Sequence, residues 1–197
     1  MNASYFDRAP YFLASHVSAS YLRAGDKLSP QPFDFDTGIT TSNSGLKAPV
    51  PDMVKYARFL LGDGPAALYD IVLKRRSLDE AWHGLLPATE PGSAPTPYTS
   101  GSPQMGLGFF IANEDGRRLV FHDGDQGGFS SELLIAPDAH IASVLIVNTT
   151  DTGAPASSTT LRSESNTEPD PATDLRLTLR QELVTHVFPS LAQRTIP

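Results

Sequence analysis

One histidine in this sequence stands where a reacting group could use it. Phe121-His122-Asp123-Gly124-Asp125-Gln126-Gly127-Gly128 joins an apolar run to a cluster of small residues. A titratable ring therefore lies beside glycines whose main-chain amides a ligand could approach closely. Imidazole moves protons or stabilises charge near neutral pH, so this is where chemistry is expected. Asp123 and Asp125 flank Gly124, and an Asp beside Gly is first a turn former and second a ligand. The other histidines, His16, His83, His140 and His186, have no partner at metal-ligand spacing, so no metal is expected. Asp34 and Asp36 alternate about Phe35 in an acidic loop and read as a solvated face. Asn2-Ala3-Ser4 and Asn148-Thr149-Thr150 fit the glycosylation pattern, the second at the end of an apolar run.

The elements that must position His122 are strands in quick succession. Arg117–His122 is separated by a glycine-rich turn, Asp123–Gly128, from Phe129–Ala136, and Pro137-Asp138-Ala139 leads into Ile141–Asn148. Connections this short join antiparallel neighbours, which predicts a meander. Strand alternation sends Leu119 and Phe121 to one face and His122 to the other. Val144-Leu145-Ile146-Val147 is apolar throughout, so both its faces are expected to be covered. Met105–Ile111 reads as one further strand, making four.

Upstream, Ala24-Gly25-Asp26-Lys27 predicts a hairpin between Val17–Arg23 and Leu28–Pro32. Phe33–Ser44 reads as a loop. Val50-Pro51-Asp52 opens a helix whose Met53, Tyr56, Phe59 and Leu60 share a face, with Gly62 and Gly64 closing it. Further helices are expected at Pro65–Arg75 and around Leu78–Trp82, and a loop at Pro87–Pro103. Residues 151–173 are rich in Ser, Thr, Pro and Glu, which predicts a flexible insertion. The stripe Leu179, Leu183, Val184, Val187, Phe188 and Leu191 marks a helix from about Asp174 that docks on the sheet. The domain expected is therefore residues 1–150, interrupted by 151–173 and completed by a helix in 174–197.

Composition narrows the partners. The 197 residues carry a net charge of −7, which disfavours nucleic acid and anionic membrane surfaces. Without cysteine there is neither disulfide nor thiolate metal site. No apolar stretch is long enough for a membrane span, and the first ten residues lack the pattern of a signal peptide.

Four segments, in order, resemble the C-terminal half of the class C β-lactamase-like serine hydrolases, which include penicillin-binding peptidases and esterases. Met1–Asp7 is similar to the segment after that family's "PLGM" turn. Ser44-Gly45-Leu46 with Pro51–Leu61 resembles its "GGLxST…DMARFLLALL" loop and helix. Gly106–Phe110 resembles "YGLGW", and Phe121–Ser131 running on to Asn148 resembles "HxGxxPGFSS…VVVLTN".

The resemblance implies an α+β, β-lactamase/transpeptidase-like fold in part: an antiparallel sheet of about four strands, a C-terminal helix on it, and helices of a second subdomain. It implies acyl transfer from an ester or amide substrate through an acyl-enzyme, with no cofactor. His122-Asp123-Gly124 would take the place of the family's Lys-Thr-Gly box, with His122 catalytic, Asp123, Gly124 and Asp125 binding substrate, and the Asp125 amide serving as oxyanion donor. The family's Ser-x-x-Lys nucleophile and Tyr-x-Asn box would lie upstream of Met1, in an N-terminal half that becomes a partner. Ser44-Gly45-Leu46-Lys47 matches Ser-x-x-Lys by letter, but Pro49 and Pro51 follow at once and disfavour the helix that would align the pair. There is no Gly-x-Ser-x-Gly elbow either. Family members are often extracytoplasmic, and these residues leave localisation open. The alternatives are an inactive relative that binds a ligand or partner, and a truncated chain without function.

Overall fold

A computed structural model describes residues 1–31, 37–88, 103–114, 116–151 and 175–193. In chain order the elements are β1 (Tyr5–Phe6), β2 (Tyr21–Ala24), β3 (Lys27–Pro30), α1 (Thr41–Ser44), β4 (Leu46–Lys47), α2 (Val50–Leu61), α3 (Ala66–Val72), α4 (Arg75–Ala81), β5 (Leu86–Pro87) and β6 (Gln104–Met105). Then follow β7 (Phe110–Glu114), β8 (Arg117–Gln126), β9 (Phe129–Ala136), β10 (Ile141–Val147), β11 (Thr149–Asp151), α5 (Leu175–Glu182) and α6 (Phe188–Ala192). They form a six-stranded sheet in the order β10-β9-β8-β7-β6-β5, a three-stranded sheet β11-β2-β3, and the pair β1-β4. The meander and the hairpin at Gly25 are as the turn chemistry predicts. Gly25 has φ +57°.

Two compact units divide the chain. One comprises Met1–Lys55, Asp123–Ser131 and Leu145–Arg176, the other Tyr56–His122, Glu132–Val144 and Leu177–Pro197. In the second, β8 and β9 are covered on both faces. Val120, Leu133 and Ile135 pack with Ala57, Leu60, Leu78 and Trp82 from the helices. Leu119, Phe121, Leu134 and Ala136 pack with Val184 and Phe188 from the C-terminal helical segment. The docking expected of that segment is therefore found. Its path is α5, a π turn over Leu183–Val187, then α6. Pro189 lacks the amide that would bond the Thr185 carbonyl, which accounts for a wider turn just before it.

Several expectations need correction. Among the described residues the main sheet has six strands where about four are expected, because β5 and β6 have only two residues each and no periodicity to show. Met105–Ile111 is a tight hairpin instead of one strand: Gly108 has φ +75°, and Gln104 and Met105 pair back onto Ile111 and Phe110. The doubly covered strands are β8 and β9. β10 is half-buried along its whole length and sits at the edge of the order. Residues 38–44, read as loop, form short helical turns. Leu73 and Lys74 are extended and separate α3 from α4, so the second helix stops short of Arg75. The insertion expected at 151–173 lies outside the described residues beyond Asp151, as do Asp34, Phe35 and Asp36.

Candidate active-site strand

β8 runs four residues further than its sequence suggests. His122 is therefore an interior residue of the strand, and the reversal is left to Gly127-Gly128 alone. Both glycines have positive φ, +55° and +83°, as a two-residue hairpin loop of the favoured twist requires. Gly124, which the sequence places in the turn, instead continues the strand.

That loop is not an open cradle. The Gly127 carbonyl accepts a hydrogen bond from the buried Ser20 hydroxyl. A Cβ on Gly128 would come within 2.8 Å of the Tyr21 carbonyl oxygen. Tyr21 N–H in turn donates to the Asn148 carbonyl at 3.0 Å. The small residues at the hairpin tip thus serve close backbone packing.

The register of β7 against β8 ends at Phe110↔Phe121, and His122–Gln126 run on beyond that last pair. His122 is exposed, with its ring centroid 5.8 Å from that of Phe110. Strand alternation holds as expected: Leu119 and Phe121 are buried while His122 is not.

Asp123 and Asp125 follow Phe121 onto the other face of the strand, and there they meet an arginine. Arg176 Nη1 donates to Asp125 Oδ2 at 3.0 Å, and Nη2 lies 3.4 Å from Asp123 Oδ2. Nη1 also reaches the Ser131 carbonyl at 3.4 Å. The Arg176 side chain is 3% exposed and that of Asp123 only 5%. Burial pushes the Asp125 carboxyl above its ordinary value, and the neighbouring Asp123 charge adds to this. Ser130 and Arg176 pull it back without winning. Asp123 and Asp125 were singled out as substrate ligands, but their carboxylates are engaged with Arg176, and the main chain between them carries Gly124.

Arg176 has a counterpart one helical turn on. Arg180 Nη1 donates to Glu132 at 3.0 Å, Nη2 lies 3.4 Å from Glu114, and its guanidinium carbon sits 3.9 Å above the Phe121 ring. Neither arginine was marked from the sequence. The signal was present: residues 176, 180, 184 and 188 lie on one four-residue row of the helix, and the row ends in Val184 and Phe188.

Ser44 and Lys47 do not form a nucleophile pair. Ser44 closes α1 and donates to the Thr40 carbonyl at 3.0 Å, whereas Lys47 lies in β4 and bonds the Asp7 carbonyl. Among the described residues no group of acids and histidines could hold a metal ion. A cavity of about 480 Å³ is lined by Gly116, Arg117, Arg118, Asp138 and His140 among others, at the far end of β8 from His122.

These elements are those of an α+β protein with the β-lactamase/transpeptidase-like fold, and solved structures agree. A class C beta-lactamase from Rhodobacter sphaeroides superposes with TM-score 0.61 at 13% identity, over 95% of this chain and 50% of that one. The octameric penicillin-binding protein homologue from Pyrococcus abyssi gives TM-score 0.59 at 22% identity, over 76% of this chain and 30% of that one. The chain thus spans half or less of the length of either. No curated protein matches it. Residues 2–165 match the family described as Beta-lactamase, and the chain belongs to that family, which is of serine-hydrolase type. No helix among the described residues is long and apolar enough to cross a membrane.

Proposed function

We propose that this chain supplies the oxyanion and substrate-binding wall of a serine acyl-transfer site. Its nucleophile, in a Ser-x-x-Lys motif, would come from sequence outside these 197 residues. The observation that carries the reading is His122-Asp123-Gly124-Asp125 on the part of β8 that extends past its last pair with β7. Main chain beyond a partner strand can hydrogen-bond an extended substrate as an added strand would. In this reading the Asp125 N–H donates to the carbonyl oxygen as it gains charge, and Gly124 lets the acyl chain lie flat on the strand. His122, on the opposite face from the paired carboxylates, orients the substrate or stabilises charge near the leaving group. The serine proton would pass through the lysine of the Ser-x-x-Lys motif to the leaving group, and the water that releases the acyl-enzyme would return a proton to the serine.

Two facts support a nucleophile from elsewhere. Ser44 and Lys47 have separate partners, and the chain covers 50% of the class C enzyme it superposes on. The test measures hydrolysis of p-nitrophenyl esters and nitrocefin. The 197 residues alone should give no turnover above buffer. The product of the coding region that includes sequence upstream of Met1 should be active, and His122→Ala should lower its rate about 10²-fold or more. Turnover by the 197 residues that disappears with Ser44→Ala would overturn the proposal.

A further inference from the structure

Resting on that reading of β8, we infer that Arg176 is a positioning residue, whose guanidinium fixes the main chain of Asp123–Asp125 so that the Asp125 N–H is held for the oxyanion. A strand that has run past one neighbour keeps a hydrogen-bond ladder on one edge only, here the edge shared with β9, and its free edge is held less firmly. In β8 that free edge begins after Phe121, and it is where the charged contacts begin. Arg176 takes hold of alternate residues of the same strand, Asp123 and Asp125, and of the Ser131 carbonyl on β9. Between the two aspartates the Gly124 carbonyl accepts from the Ser131 hydroxyl at 3.3 Å. Three successive residues, Asp123, Gly124 and Asp125, are thus each tied from the side, by groups that leave His122 on the opposite face exposed among the described residues.

The identity of the residue matters. Two carboxylates two positions apart on one face cannot both stay buried and ionised without a cation that reaches both. A guanidinium offers separate N–H groups in a fixed plane for this, whereas a lysine presents a single point charge. The helix supplies the anchoring: Arg176 is held on a row whose later members, Val184 and Phe188, are themselves buried.

A buried ion pair that only adds stability would loosen the molecule evenly when lost. A positioning contact loosens one strand segment and slows one step. The experiment uses the intact natural protein with Arg176→Met, Arg176→Lys and Asp125→Asn, read by amide hydrogen exchange and by ester hydrolysis. Arg176→Met should speed exchange in residues 122–128 about tenfold, and in residues 132–136 by less than about threefold. Arg176→Lys should fall between parent and Met variant. In turnover, Arg176→Met should lower kcat about tenfold with KM unchanged within about threefold, because an oxyanion donor acts mainly in the transition state. A uniform rise in exchange, no rise at all, or a change in KM with kcat preserved would each overturn the inference. If Arg176→Met does not fold, Arg176→Lys and Asp125→Asn carry the same comparison. If the parent protein itself shows no turnover, the reading of the site fails, and the exchange pattern alone decides whether Arg176 holds the strand.

Discussion

Arg176 and Arg180 are the same residue type one helical turn apart, each almost fully enclosed and each facing two carboxylates, yet they do different work. The carboxylates of Arg180 come from two strands, Glu132 on β9 and Glu114 on β7, with the Phe121 ring beneath. Those of Arg176 come from one strand, β8. The first arrangement stitches separate elements together, and the second grips a single segment. Glu132 is 1% exposed whereas Asp125 is 15% exposed, so the two also differ in what happens when the arginine is lost. A stranded Glu132 has no water to turn to. Asp125 can rehydrate with a small movement.

The largest expected effect breaks the Arg180 side. Arg180→Met leaves Glu132 charged and enclosed, which should cost about 3–5 kcal/mol in urea unfolding and leave little native protein. Replacing both partners, Arg180→Met with Glu132→Leu, should recover most of that loss, since a buried pair exchanged for apolar side chains is often neutral. If the double variant is no better than the single, Glu114 or the Phe121 ring contact dominates, and the pair with Glu132 is not what matters.

Arg176→Met should be milder, about 1–3 kcal/mol, because Asp125, 15% exposed, can rehydrate and no carboxylate is left as enclosed as Glu132. Equal losses for the two arginines would remove the distinction drawn between stitching and gripping.

Why this pair of arginines escaped the sequence is a matter of what amphipathic patterns count. Of the stripe Leu179, Leu183, Val184, Val187, Phe188 and Leu191, Val184 and Phe188 are buried, yet Val187 and Leu191 are each 41% exposed, while Arg176 and Arg180 are inside. Arginines on a helix read as solvated because charge burial requires partners that are distant in sequence, here 45 to 66 residues away. By contrast, α2 and the strands from Arg117 to Val147 were legible because their signals are local: Pro51 and Asp52 at a helix start, Gly62 at its end, Pro137 between strands. The Gly106–Phe109 turn was not legible. Its glycine is demanded by Ala81, whose carbonyl oxygen would stand 2.3 Å from a Cβ on Gly106, and that neighbour is invisible in the local string. His122 stands out in the string because chemistry-bearing residue types are few. The actual partners of Asp123 and Asp125 were missed because alternation says which face a side chain takes, never what waits there.

The smallest effect concerns the pH response of two aspartates with opposite shifts. Asp52 accepts from the Ala3 N–H at 2.8 Å, the Ser4 hydroxyl at 2.9 Å and the Lys55 ammonium at 2.9 Å. The Ala3 amide and then Lys55 hold its carboxyl well below the ordinary 3.8. Its folded pKa is depressed, so its contribution is present above that ordinary value and is lost as pH falls through the acid range. Asp52→Asn should therefore flatten the fall in Tm between about pH 4 and the acid limit. Asp125 has the reverse sign. Burial raises its folded pKa, so its contribution is complete below 3.8 and is lost as pH rises through the raised folded value. Asp125→Asn should remove that decline, so that the parent loses ground to the variant in urea midpoint as pH rises from below 4 toward neutrality. The Arg176 partnership opposes this only in part, because the same guanidinium also serves Asp123 and the Ser131 carbonyl. A parent that gains on the variant as the pH rises would mean that Arg176 outweighs burial at Asp125, and that the strand is gripped mainly through that single carboxylate.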